Sequence, residues 1–419
     1  MNPSLKSNAN FRWLTSGGLL SMLGDQFTMV ALPWLVLKLS GDPLSLGLVL
    51  ALMGVPRAIF ILIGGAVVDR YSPKRVMMLT KHASTVLLAV LAALTLTGHV
   101  SLPALYALAL GIGLAQAFSI PAGTSMTPQA IPRDLIQAAN GTMMSMRQLT
   151  FLAGPLLAAV LLAVADNDRQ LGLAFAFDSF SYAVSAWTLS HVTILPRPDA
   201  GGAAAPAAQA PQGIGAVLHS VGEGLRMVWR DVEMRTCFAY WGLVSLLIGG
   251  AMQVALPVLA KDRLHGAAAL GILMGAHGGG TLLGMIASGM SGKLRLPRFG
   301  AMLLTVDFFA GLILFPLGMI TTTWQGAALL IALGLLGGFM QVGVFTWIQR
   351  RVSPQMMGRT MSIFMFILFG LAPLSAAVAG WLLNYVSLQL VFEGGGIILV
   401  VCAAAAWTFT PMRHIEAAR

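Results

Sequence analysis

Two charged residues interrupt consecutive apolar runs of this chain at matching depth. Asp25 lies 13 residues beyond Arg12 and Arg57 lies 12 residues before Asp69, so at 1.5 Å per helical residue both sit about 18 to 20 Å from the same side. Consecutive antiparallel helices would bring Asp25 and Arg57 together there. A charge at that depth in a bilayer costs about 2.5 to 3.5 kcal/mol on insertion scales, so it faces a cavity or a partner. A carboxylate gains or loses a proton as its desolvation and its distance from a cation change. Proton coupling at Asp25 with Arg57 is the chemistry this suggests, and a static ion pair that specifies helix packing is the competing reading. Arg147, in the inner half of a later run, would meet the same carboxylate, a substrate anion or backbone carbonyls. His277 lies mid-run among glycines at 275, 278, 279 and 280; it would titrate near neutral pH, although a histidine among packing glycines is more often structural. Asp178, Asp307 and Glu393 read as interfacial, nearer the ends of their runs.

A second cluster joins the second and third runs: Gly65, Asp69, Arg70, Lys74 and Arg75. Gly65 allows close helix approach, as small residues do inside bilayers. Asp69 ends its helix where the macrodipole is already negative. It therefore requires an arginine or the positive N-terminus of another helix. The helix that starts after Ser353 and Pro354 offers such an end on the same side, proline being compatible with a first turn. The arrangement suggests a gate, against the simpler reading of topogenic charge.

The elements that must position these residues are membrane helices. Charged residues make up 10% of the 419 and hydrophobic ones 57%, against roughly 25% charged in soluble domains. Twelve spans are predicted, near 12 to 37, 44 to 68, 76 to 97, 102 to 122, 138 to 164, 171 to 192, 235 to 260, 267 to 290, 300 to 320, 325 to 348, 357 to 383 and 389 to 410. Each reaches the ~20 residues that cross a bilayer. The first is expected to stay as a helix, because Asp25 interrupts it and no small-residue cleavage site follows. With the N-terminus inside, nineteen of the 25 Lys and Arg fall on the cytoplasmic side, Lys81 among them, and four outside. That obeys the positive-inside rule and places both termini in the cytoplasm. The net charge of +10 is thus topological, and no basic soluble surface for nucleic acid is present.

The chain divides once. From Pro196 to Gly213 it is a Pro, Ala, Gly and Gln linker, and residues 214 to 231 then place apolar residues at helical spacing, as in a helix lying on the membrane surface. The expected units are 1–195, a six-helix bundle; 196–231, the linker with its interfacial helix; and 232–419, a second six-helix bundle. Gly271, Gly275 and Gly279 make a packing stripe. No Walker loop or His-Glu-x-x-His is present, and Cys237 and Cys402 lack short-range partners. No enzyme activity, metal or cofactor is expected.

The Gly65, Asp69, Arg70, Lys74, Arg75 hairpin resembles the loop between helices 2 and 3 of the major facilitator superfamily, with Ser72-Pro73 where glycine is more usual. Gly24-Asp25-Gln26, Ala31 to Trp34, Ile131-Pro132-Arg133, Ala139-Asn140-Gly141, Asp178 to Tyr182, Glu223 to Arg226, Gly358-Arg359 and Gly370 to Pro373 are similar to its twelve-helix drug:proton antiporter branch, which includes macrolide-efflux and enterobactin-export proteins. Gly154-Pro155 resembles the antiporter motif of helix 5, with Ala158 and Ala159 in place of the next glycine pair. The resemblance implies an all-α fold of twelve transmembrane helices in two bundles, in the plasma (inner) membrane of a bacterium. It implies a cavity lined by helices 1, 4, 7 and 10, whose candidates are Asp25, Gln26, Gln116, Phe118, Tyr240, Gln253, Met340, Gln341 and Phe345, with His277 beside them. Few charges and adaptable methionine suit a hydrophobic or amphipathic small molecule. The implied function is export of such a molecule by proton antiport and alternating access, powered by the proton gradient, from an expected monomer. The alternatives are a lipid or lysophospholipid translocator and a non-transporting receptor or assembly subunit.

Overall fold

The computed structural model describes residues 5–163, 168–195, 214–264, 266–290 and 298–416. The first six helices are α1 (Ala9–Ser40), α2 (Pro43–Tyr71), α3 (Pro73–Leu96), α4 (Leu102–Ala130), α5 (Ile136–Ala163) and α6 (Asp168–Ser190). After the linker come α7 (Ile214–Arg230), α8 (Val232–Val244), α9 (Ala251–Asp262), α10 (Ala267–Met290), α11 (Phe299–Leu317), α12 (Thr323–Arg351), α13 (Pro354–Met365), α14 (Ala372–Leu382) and α15 (Leu388–Phe409). Among the described residues, eleven spans are long and apolar enough to cross a bilayer. The less apolar twelfth, α6, carries Asp168, Arg169 and Asp178.

Local chemistry sets the ends. Gly41, at φ +68°, ends α1 and its N–H returns to the Leu37 carbonyl; the left-handed turn costs glycine nothing. Asp42 caps α2, accepting from Leu44 N and Ser45 N, and Thr322 with Gln325 closes a capping box on α12. Ser72 turns the chain from α2 into α3 at φ +77°. A serine there carries strain that glycine would not.

The predicted seventh and eleventh spans each cross as one helix that contains a π segment. A five-residue π segment, Ser245–Gly249, separates α8 from α9, and Phe366–Gly370 separates α13 from α14. The two wide turns face each other: Ser245 Oγ donates to the Ile367 carbonyl at 2.9 Å, and Gly250 N donates to Ser375 Oγ at 3.1 Å. Backbone groups released by irregular winding inside a membrane need such partners.

Helices α1 to α6 pack as one bundle through the pairs α1–α6, α3–α6, α2–α4 and α1–α5, and the second bundle is built on α10–α12, α11–α15 and α9–α14. The bundles meet through α5–α10, α2–α14 and α1–α9. A single apolar core, including Val30 to Leu37, Val254 to Ala260, Leu270, Leu273 and Ala376, runs through both bundles at the end away from the termini. Toward the terminus end the cores are separate, one around Phe11, Met126 and Leu189, the other around Phe238, Trp241, Phe299 and Trp347. The halves are thus closed at the far end. Helix α7 lies against α13, where Arg359 Nη1 meets Glu223 Oε2 at 2.6 Å. The Pro196 to Gly213 linker lies outside the described residues.

Candidate functional site

Along the α1–α6 seam, polar residues recur at helical spacing: Ser21, Asp25 and Thr28 on α1; Asp178, Ser181, Tyr182 and Ser185 on α6. These spacings of three and four place each set on one helix face. Because the helices run antiparallel, the sets pair as a ladder. Thr28 Oγ1 donates to Asp178 Oδ2 at 2.5 Å, Tyr182 Oη donates to Asp25 Oδ1 at 2.9 Å, and Ser185 Oγ meets Ser21 Oγ at 3.5 Å. The close approach depends on Gly17 and Gly24, where a Cβ would enter the space of Thr188 and of Asp178 and Ser181.

Helix α3 supplies the cation. Lys81 is only 4% exposed; its Nζ donates to Ser185 Oγ at 2.5 Å, lies 3.5 Å from Ser21 Oγ and sits 5.4 Å from the Tyr182 ring centre. Lys81 was expected as cytoplasmic topological charge. Its long chain instead carries the ammonium inward to the ladder. Asp178, expected to be interfacial, is 1% exposed at the middle of α6, and the hydroxyls of Thr28 and Ser181 take the place of water around it. Asp307 likewise lies mid-helix in α11, with the buried Tyr240 hydroxyl turned toward it short of a full hydrogen bond. Glu393 stays near the start of α15 and accepts from Gln389 Nε2 at 2.7 Å.

Asp25 and Arg57 do not form the ion pair that their matching depth suggests. Asp25 accepts from Tyr182, whereas Arg57 Nη1 donates to Gln116 Oε1 of α4 at 3.0 Å. The charges of Lys81 and Arg57 both still act on Asp25 through space. Depth fixes how far along a helix a residue lies but not which face carries it. Arg147 stands apart, exposed on α5 with its guanidinium 5.6 Å from the Phe151 ring centre.

The remaining candidates divide by bundle. Gln26 is buried against Gly154 of α5, where a Cβ would enter the glutamine side chain, and its Oε1 has no hydrogen-bond partner. Pro155 follows, its carbonyl against Gly271 of α10. Phe118 packs on Phe60, ring centres 6.0 Å apart. In the second bundle, Tyr240 and Met340 are buried in the aromatic core, and Phe345 meets Phe364 edge-on at 5.4 Å. Gln253, His277 and Gln341 are exposed. In the hairpin, Lys74 Nζ donates to the carbonyls of Ser190 and Val192 at 3.0 and 2.7 Å, tying α3 to the end of α6, and Arg75 is exposed. The side chains at Gly65, Asp69 and Arg70 lie outside the described residues, so the gate reading falls outside them too.

Comparison with known proteins places this arrangement. Residues 14–376 match the sequence profile of the Major Facilitator Superfamily. Among curated proteins, the enterobactin exporter EntS of Salmonella choleraesuis (strain SC-B67) is 26% identical over 357 residues, covering 85% of this chain and 81% of the exporter. Among solved structures, the nucleoside transporter NupG superposes with a TM-score of 0.74 at 15% identity, over 96% of this chain and all of the other. A bacterial homologue of the human lysosomal transporter Spinster, inward-facing and occupied, gives 0.69 at 15% identity, over 98% of this chain and 99% of the other.

Proposed function

This chain belongs to the major facilitator superfamily, and from that premise we propose that it exports a hydrophobic or amphipathic small molecule, drug-, macrolide- or siderophore-like, by proton antiport. The similarity to an enterobactin exporter supports the direction and the substrate class. The observation that carries proton coupling is Asp25: partly exposed, hydrogen-bonded to Tyr182 and within the fields of Lys81 and Arg57. A carboxyl so placed can take a proton from the cavity and, once neutral, alter the balance of charge in the α1–α6 wall.

The moving units are 1–195 and 232–419, joined by 196–231. By the positive-inside count the terminus end faces the cytoplasm of a bacterial inner membrane, so closure at the far end makes this the inward-facing arrangement. Substrate enters between the bundles, where Gln116, Phe118, Gln253 and Gln341 supply polar and aromatic contacts with Arg57. Asp69 then docks against the N-terminus of α13, or a nearby arginine, when the cavity turns outward. This is alternating access between two bundle arrangements.

The test is transport by purified protein in liposomes with an imposed pH gradient, offered enterobactin, a macrolide and a lysophospholipid. Gradient-driven accumulation of one of the first two is expected, and Asp25→Asn should abolish it while leaving binding intact. Undiminished proton-driven transport by that variant would remove Asp25 from the mechanism. Movement of the lysophospholipid alone, indifferent to the gradient, would replace export with lipid translocation.

A further inference from the structure

The seam between α1 and α6 holds a carboxyl that export through Asp25 alone does not use. Asp178 is 1% exposed and is held in the same ladder as Asp25, one helical turn from Tyr182. Its titratable surroundings are Asp25 from α1 and Tyr182 from α6 itself, and the cations Lys81 of α3 and Arg57 of α2 act on Asp25. Helix α4 has no charged side chain, and Arg147 of α5 is turned toward Phe151. Two carboxyls in one water-poor wall cannot both ionise freely, since each negative charge raises the cost of the other.

We propose that Asp178 is a second proton-holding carboxyl, coupled to Asp25 across the α1–α6 seam, with Lys81 as the positioning cation of the ladder. This rests on the reading of Asp25 as the coupling residue and extends it: the proton that Asp25 takes from the cavity titrates the pair. Protonation forms one carboxyl O–H bond and leaves the pair with one negative charge, with Lys81 and Arg57 acting at Asp25. The hydroxyls of Thr28 and Ser181 solvate Asp178 in either state, since each can donate to a carboxylate or accept from a carboxylic acid. Lys81 donates to serine hydroxyls within the same ladder and pairs directly with neither acid among the described contacts, and its charge acts on Asp25.

The experiment is pH-difference infrared spectroscopy of the protonated-carboxyl C=O band on the purified full-length protein in lipid nanodiscs, which needs no substrate. Asp178→Asn, which keeps an oxygen to accept from Thr28, should remove one component and move the midpoint of the remainder by about one pH unit or more, as expected for interacting acids. Thr28→Val, with both acids retained, should shift that same component without loss of amplitude, and Lys81→Met should move the Asp25 component. A component lost in Asp25→Asn but none in Asp178→Asn overturns this inference and leaves the exporter reading standing. No loss in either variant overturns both. Loss in each without any shift in the other refutes the coupling.

Discussion

Asp231 shows how a carboxylate in this protein can serve two elements with one group. It caps α8, accepting from Glu233 N and Met234 N at 3.1 Å, and it accepts from Arg351 Nε at 2.7 Å and Nη2 at 2.9 Å, holding the end of α12 to the start of α8. Burial works to raise its pKa, but the Arg351 hydrogen bonds and the helix N–H groups overcome this and hold the carboxyl below its usual range. A depressed carboxylate adds stability above its unfolded value of about 3.9, and that stability is lost as pH falls through the folded value. Asp231→Ala should therefore lower unfolding stability by about 2 kcal/mol at pH 7, the sum of a lost cap and a lost bidentate pair. Thermal unfolding in detergent should show the variant and the parent converging below about pH 3.9; an equal gap at all pH values would mean the pair contributes nothing. The sequence revealed Asp25 and Arg57 as embedded charges, because single charges stand out in apolar runs. It concealed their partners. Tyr182, Thr28 and Lys81 act through helix faces and a long side chain, although the stripes at 21, 25, 28 and at 178, 181, 182, 185 were the available signal.

At the scale of elements, twelve apolar runs were legible because each must span a bilayer, and the glycines of α10 were legible as a packing stripe. The complementary surface was not. Gly271 and Gly275 pack on Pro155, Leu156 and Ala159 of α5, while Gly280 and Gly284 approach the carbonyls of Ile331 and Leu335 on α12. In return, Gly334 and Gly338 of α12 approach the carbonyls of His277 and Thr281. Two helices so interlocked leave no room for a side chain at the seam. The π segments were equally hidden: Ser245–Gly249 and Phe366–Gly370 meet across the fold, where Ser245 Oγ donates to the Ile367 carbonyl. Gly284→Val and Gly338→Val should each prevent α10 from docking on α12 and abolish monodisperse protein in detergent. Gly337→Ala, with open space around its Cβ position, should behave as the parent does. Size-exclusion profiles of the three variants decide this, and a well-behaved Gly338→Val would show that the seam can separate at little cost.

For the whole molecule the decisive feature is what holds the far end shut. Besides the shared apolar core, two polar contacts among the described residues cross between the bundles there: Lys261 Nζ of α9 donates to the Leu37 carbonyl at the end of α1 at 2.9 Å, and Asn384 Nδ2 donates to Asp42 Oδ1 at 2.9 Å. Both must break for the cavity to open at that end. Asp42 is tuned to keep its contact, because burial works to raise its pKa and the bonds from Asn384, Leu44 and Ser45 hold it below the usual range. The far-end latch is therefore constant above about pH 4. Hydrogen bonds of this kind contribute about 0.5 to 1.5 kcal/mol each, so removing both shifts the ratio of the two arrangements by roughly 5- to 150-fold. Lys261→Met with Asn384→Leu should move the population toward opening at the far end. Spin labels at a far-end pair and a terminus-end pair, placed after Cys237 and Cys402 are replaced, would report it: far-end distances should lengthen as terminus-end distances shorten. The shift should be the same at pH 6 and pH 8, because Asp42 stays ionised at both. Unchanged distance distributions would assign closure to the apolar core alone, and a pH-dependent shift would mean the latch and the proton site are not separate.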